Sequence, residues 1–133
     1  MSDLMDLAGY VEGLEAGELR FQRCTVCGKA QFPPRPVCAT CRSAALAWER
    51  FPETATVFTW TVVGHTRLPA FAQLTPYAVA VLEVRDLGVR IVGRLDAPAD
   101  TITVGARCRW RVGPGPDGDP VPLWTLDEGD PHR

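Results

Sequence analysis

Hydrophobic positions recur at two different periods along this chain, and the change of period divides it. Leu4, Ala8, Val11 and Leu14 recur at loose helical spacing among acidic residues, which predicts a helix over residues 3–16 with Gly17 as its stop. Residues 18–23 then alternate, Leu19 and Phe21 against Arg20 and Gln22, as a short strand should. Residues 46–51, LAWERF, read as another strand, with Pro52 marking the boundary. From Ala55 onward the texture is strand only. Residues 55–63 are rich in Thr, Val and aromatics, and residues 77–84 form a near-continuous apolar run. A turn at 85–88 sends the chain back through 89–95 as the hairpin partner. Residues 106–112 alternate cleanly, with Ala106, Cys108, Trp110 and Val112 on one face and Arg107, Arg109 and Arg111 on the other. A loop, GPGPDGDP, precedes the last strand at 121–126. Five strands after residue 52 without a strong helix predict a small closed or partly open β-barrel. The fold class is therefore mainly β. The expected organisation is an N-terminal helix and cysteine-bearing module over 1–51, a barrel over 52–127 and a flexible tail over 128–133.

Composition narrows the function classes. The chain of 133 residues has room for one ordinary domain or two very small modules. Hydrophobic residues at 46% and charged residues at 23% mark a globular chain. A formal net charge of −2 supplies no global positive field to gather nucleic acid or an anionic membrane. The N-terminus carries acids where a signal peptide needs Lys or Arg, and no run approaches the roughly 20 apolar residues of a membrane span. A cytoplasmic location is expected.

In a reducing compartment paired cysteines read as metal ligands rather than disulfides. Residues 24–41 read CTVCGKAQFPPRPVCATC, two Cys-x-x-Cys knuckles that offer Cys24, Cys27, Cys38 and Cys41. Each knuckle brings two thiolates to one ion while backbone N–H groups point at the sulfurs. Two knuckles close a tetrahedral site, so one structural Zn²⁺ is expected, without the open position that a catalytic zinc requires. A rubredoxin-like iron centre would use the same ligands, and spacing does not separate the two metals. Gly28 after the first knuckle permits a positive-φ turn; Arg42 stands at the matching place after the second, which predicts a less regular turn there.

The order of these segments, LRFQRCTVCGKAQFPPRPVCATC, then a Trp-containing strand, ATVFTWTVVGHTRLPAF, TPYAVAVLEV with GVRIVGRL, and ITVGARCRWRV, resembles a family of acyl-CoA-associated proteins. Its members join an N-terminal rubredoxin-like zinc ribbon to a C-terminal OB-fold and were long catalogued as a domain of unknown function. The similarity runs from about Gly9 to Leu126. Its most specific parts are Phe32-Pro33-Pro34-Arg35-Pro36 between the knuckles and Pro76-Tyr77 opening an apolar strand. The chain departs from the family pattern at Ala55, where a Gly is usual, and in a less proline-rich loop at 64–71. The resemblance implies a five-stranded OB-fold barrel. It also implies a non-catalytic accessory subunit that completes a thiolase-fold acyltransferase or retro-aldolase, or an acyl-CoA hydratase, in a hetero-oligomer, with a CoA thioester at the interface.

The other candidates are weighed beside that implication. Only two histidines exist, His65 in a loop and His132 in the tail, with no nucleophile beside His65, so no activity is expected of the chain alone. Trp60 and Trp110 read as barrel core, Trp48 and Trp124 as packing between the modules, and Cys108 as a buried small hydrophobe. For a partner surface the candidates are Phe71 in the apolar run at 68–71, Tyr77 at the strand entry, and the Arg107, Arg109 and Arg111 stripe. An apolar anchor ringed by Arg is the composition of an interface hot spot. The alternative is a zinc-ribbon and OB-fold protein that binds single-stranded nucleic acid, which the net charge disfavours. A free-standing CoA-thioester hydrolase finds no catalytic constellation in the residues.

Overall fold

Gly17, at φ 83°, turns the chain out of the first helix, α1 (Ala8–Glu15), in a computed structural model that describes residues 7–127. The predicted start of that helix and the tail at 128–133, with His132, lie outside the described residues. Gly9 lets α1 sit directly on the Trp48 indole, which occupies the space a Cβ would need. Trp48 thus joins the ribbon to the helix.

The strand expected before the first knuckle is β1 (Arg20–Cys24), the centre of a three-stranded antiparallel sheet. It lies between β2 (Ala30–Gln31) and β3 (Leu46–Arg50). β2 carries no periodic signal because two residues cannot show one. Simple alternation also fails at Gln22, which is 1% exposed although it was expected on the polar face with Arg20. The reason is that the loop after β2 covers it. Gln22 Nε2 donates to the Arg35 carbonyl at 2.9 Å, and Oε1 accepts from the Arg35 amide and from Gln31 Nε2, each at 2.8 Å.

The second half is the predicted five-stranded barrel. Its strands are β4 (Thr54–Val63), β5 (Tyr77–Val84), β6 (Val89–Leu95), β7 (Arg107–Pro114) and β8 (Pro120–Leu126), closed in the order β4-β5-β6-β8-β7. The β6–β8 pair is parallel and the others are antiparallel. Period-2 burial on β5 sends Ala78, Ala80, Leu82 and Val84 inward. Small residues there and at Gly93 leave room for Trp124, which is fully buried in the barrel; a Cβ on Gly93 would lie 2.7 Å from its ring. Trp124 therefore fills the barrel, within the core cluster that residues of the N-terminal module also join. Trp110 is core as expected, and its Nε1 donates to the Pro52 carbonyl at 2.7 Å, tying β7 to the junction. Trp60, expected in the core, is only half-buried against it. Thr54, Ala55 and Thr56 of β4 pair with β7, and from Thr56 onward the strand pairs with β5, with an irregularity between Val57 and Thr59.

The ribbon and the barrel share one hydrophobic cluster. Leu14, Leu19, Phe21 and Phe51 belong to the same core as Leu82, Ile91 and Trp124. No helix among the described residues is long and apolar enough to cross a membrane.

Candidate metal centre and partner-facing residues

Cys24 ends β1, and Cys27 follows one tight turn later; Cys38 and Cys41 repeat that turn after the proline loop. The two knuckles match bond for bond. In the first, the Gly28 amide donates to the Cys24 carbonyl at 2.9 Å, and the Val26 and Cys27 amides point at Cys24 Sγ, each at 3.4 Å. In the second, the Arg42 amide donates to the Cys38 carbonyl at 3.0 Å, and the Thr40 and Cys41 amides point at Cys38 Sγ, each at 3.4 Å. The second turn is therefore as regular as the first, contrary to expectation. Arg42 adopts φ 69° where Gly28 has φ 82°, taking the left-handed conformation despite its Cβ.

These turns gather all four sulfurs within 4.8 Å of one another. Cys24 and Cys41 are 3.5 Å apart, and Cys27 and Cys38 3.6 Å. A zinc ion bound at about 2.3 Å by a tetrahedron of thiolates separates them by about 3.8 Å, so the donor set fits zinc without rebuilding. Amide donation from Cys41 and then Thr40 holds the Cys38 thiol at about 6, well below its ordinary value, and the Cys27 amide lowers Cys24 in the same way. Gln31 links this site to Gln22: its Oε1 accepts from the Ala39 amide at 2.8 Å, inside the second knuckle. The Gln22–Gln31 clamp is the part of the site that sequence reasoning missed. The one available signal was a short, uncharged amide side chain on a strand leading into a knuckle. Bound there, a metal ion would cross-link β1 to the loop; with four thiolates around it no position is left for substrate.

The partner candidates are separated rather than assembled. Residues 68–71 were read as a loop, and the structure gives a single helical turn, α2 (Pro69–Ala72). Phe71 lies on it, half-buried, with its ring 5.9 Å from that of Tyr77. Leu68 beside it is 59% exposed. Arg107, Arg109 and Arg111 do form an exposed face of β7. Arg107 Nε lies 3.2 Å from Asp127, however, and Arg109 lies 2.7 Å from Glu53 and 3.7 Å from Asp127. Arg111 has no ion pair among the described residues. Arg109 is opposite Thr54 and Tyr77 opposite Val63, at the two ends of β4. At about 3.3 Å per residue, and with the irregularity between Val57 and Thr59, those ends are at most about 30 Å apart. The aromatic pair and the arginine face therefore meet β4 at opposite ends.

Cys108, the fifth cysteine, is fully buried, and burial followed by the Asp127 charge raises its thiol to about 11. His65 is exposed, just past the end of β4.

Residues 11–47 match the family described as ChsH2, rubredoxin-like zinc ribbon domain, and residues 48–112 match ChsH2, C-terminal OB-fold domain. A probable enoyl-CoA hydratase alpha subunit from Thermomonospora curvata is 34% identical over 101 residues, 75% of this chain and 31% of that protein. A DUF35 domain-containing scaffold protein from Methanocaldococcus jannaschii is 32% identical over 85 residues, 62% of this chain and 59% of that one. The chain thus spans less than two thirds of the length of either relative. Among solved structures, a chain of an Ltp2-ChsH2(DUF35) aldolase superposes with a TM-score of 0.80 at 28% identity, covering 91% of this chain and 94% of its own. A DUF35-family protein from Sulfolobus solfataricus shares the fold at a TM-score of 0.62 and 15% identity, covering 90% and 83%.

Proposed function

This chain belongs to the ChsH2 family, in which a rubredoxin-like zinc ribbon precedes a C-terminal OB-fold, and on that premise we propose that it is a non-catalytic accessory subunit of a hetero-oligomeric enzyme acting on CoA thioesters. The observation that carries the proposal is the near end-to-end likeness to a chain of an aldolase whose name joins two proteins, Ltp2 and ChsH2. The names of the other relatives, a hydratase subunit and a scaffold protein, support the same class. The catalytic partner is a thiolase-fold acyltransferase or retro-aldolase, or an acyl-CoA hydratase. The build of the described residues agrees. The four clustered thiols are suited to closing a structural site, Cys108 is sealed in the core, and His65 stands on an exposed loop.

The partner contact is assigned to the Phe71–Tyr77 pair with the exposed Leu68, an apolar group held on a fixed helical turn. Arg107 and Arg109, already paired with Asp127 and Glu53, serve as rim. A single-stranded nucleic-acid function has less behind it, given a net charge of −2 and an arginine face largely engaged by carboxylates. Co-expression with the thiolase-fold or hydratase subunit of the same genome, followed by size-exclusion chromatography, tests the proposal. One stable complex is expected, and Phe71→Ala should weaken it by about 1–3 kcal/mol with the fold intact. Separate elution of the two chains at micromolar concentration would count against it.

A further inference from the structure

The ribbon and the barrel meet along an open cleft to which none of the roles above gives a use. It consists of two adjoining hollows of about 580 and 570 Å³ that share Ala30, Arg85 and Gly88 as lining. One wall is the ribbon around β2 and the knuckles; the other is the β5–β6 hairpin. Arg23, Lys29, Arg35, Arg85 and Arg90 line it, and they include the single lysine of the chain. Against these five cations stand Glu83 and Asp86 in the lining and Glu49, which holds Arg23, leaving a formal +2 in a chain whose formal net charge is −2. Positive charge is thus concentrated in one concave place, where low-dielectric walls strengthen its field.

The pairing inside the cleft is incomplete. Arg23 is held by Glu49 at 2.9 Å, and Arg85 and Arg90 share the single carboxylate of Glu83, each at 3.4 Å. Neither the Lys29 ammonium nor the Arg35 guanidinium has an ion pair among the described residues. The backbone of Arg35 is nonetheless fixed, because the buried Gln22 side chain holds both its amide and its carbonyl. Phe32 adds an aromatic surface to the same wall, its ring braced 5.5 Å from Phe51 and 5.7 Å from Tyr10. Forked guanidinium donors suit phosphate oxygens, and an aromatic ring suits the face of a purine.

We propose that this cleft binds the multiply phosphorylated adenine nucleotide that ends coenzyme A, so that the accessory subunit holds the handle of the thioester whose acyl group the partner transforms. That choice of nucleotide rests on the acyl-CoA reading above; the anion site itself rests on the cleft. Glu83 acts as the competitor, occupying Arg85 and Arg90 until phosphate displaces it.

Calorimetric titration of the zinc-loaded chain with coenzyme A, dephospho-coenzyme A, pantetheine and a short oligothymidylate tests the proposal. Coenzyme A should bind most tightly, dephospho-coenzyme A more weakly and pantetheine not measurably. Lys29→Gln with Arg85→Gln should weaken coenzyme A by about tenfold or more, as for loss of charge-assisted contacts. Glu83→Gln should tighten it, a gain that a damaged fold could not produce. Coenzyme A binding no better than pantetheine, affinities unmoved by both variants, or preference for the oligothymidylate would each overturn the proposal. Size-exclusion chromatography with the partner separates the two readings. Intact assembly without coenzyme A binding overturns the cleft alone, whereas coenzyme A binding without assembly supports the cleft and overturns the accessory role.

Discussion

Arg42 shows how far one residue can depart from its own preference when a metal loop demands it. A side chain with a Cβ in the left-handed region costs about 1–2 kcal/mol, and the second knuckle holds Arg42 there at φ 69°. Its side chain is exposed, so a replacement loses little packing. Arg42→Gly should therefore stabilise the protein by about 0.5–1 kcal/mol, once the greater freedom of glycine in the unfolded chain is subtracted. Thermal unfolding of the zinc-loaded protein measures this, and a lower melting temperature would show that the turn is not under strain. The clustering of the four cysteines was legible in the sequence because Cys-x-x-Cys spacing is itself the geometry. The regularity of the second turn was not, since residue type reports a preference and not what neighbouring bonds impose. Trp124 teaches the same at the other end of the chain. Its place in the barrel depends on a gap opened by Gly93, Ala78 and Ala80 from other strands, which no local pattern announces.

At the level of elements, strands with period-2 burial were readable and the covered ones were not. The start of β7 alternates in burial as its sequence does and β5 alternates in burial within an apolar run, whereas Gln22 on β1 is buried on the face expected to be wet. The loop that covers it carries the Phe-Pro-Pro-Arg-Pro run, and the amide side chain satisfies the backbone groups of Arg35. Gln22→Ala should leave those part-buried groups without their partner, at a cost of about 1–2 kcal/mol by denaturant unfolding. A loss below about 0.5 kcal/mol would mean that water replaces the amide without penalty. The ribbon as an element depends further on its metal. A three-stranded sheet with a two-residue edge strand buries little, and ligation adds the missing folding energy. One zinc per chain is expected by elemental analysis, and Cys24→Ser should abolish it and loosen the ribbon, as amide exchange would report. Stoichiometric iron with a visible absorption band would instead identify an electron carrier.

Across the whole molecule, what the sequence made plain was architecture, and what it concealed was arrangement. Helix, ribbon and five-stranded barrel follow from periodicity and cysteine spacing. The distance between Phe71 and the arginine face does not, because it depends on which end of β4 each element meets. The shared core from Leu14 through Phe51 into the barrel makes ribbon and barrel one mechanical body, as a scaffold that positions another protein needs to be. Its proposed contribution to catalysis is then to hold and complete, with the nucleophile supplied elsewhere. Turnover of an acyl-CoA substrate tests that most directly, measured for the isolated zinc-loaded chain, for the isolated partner enzyme and for the two together. The account predicts no turnover by this chain alone and a rate for the mixture well above that of the partner. Turnover by the isolated chain that vanishes in a His65→Ala variant would contradict it.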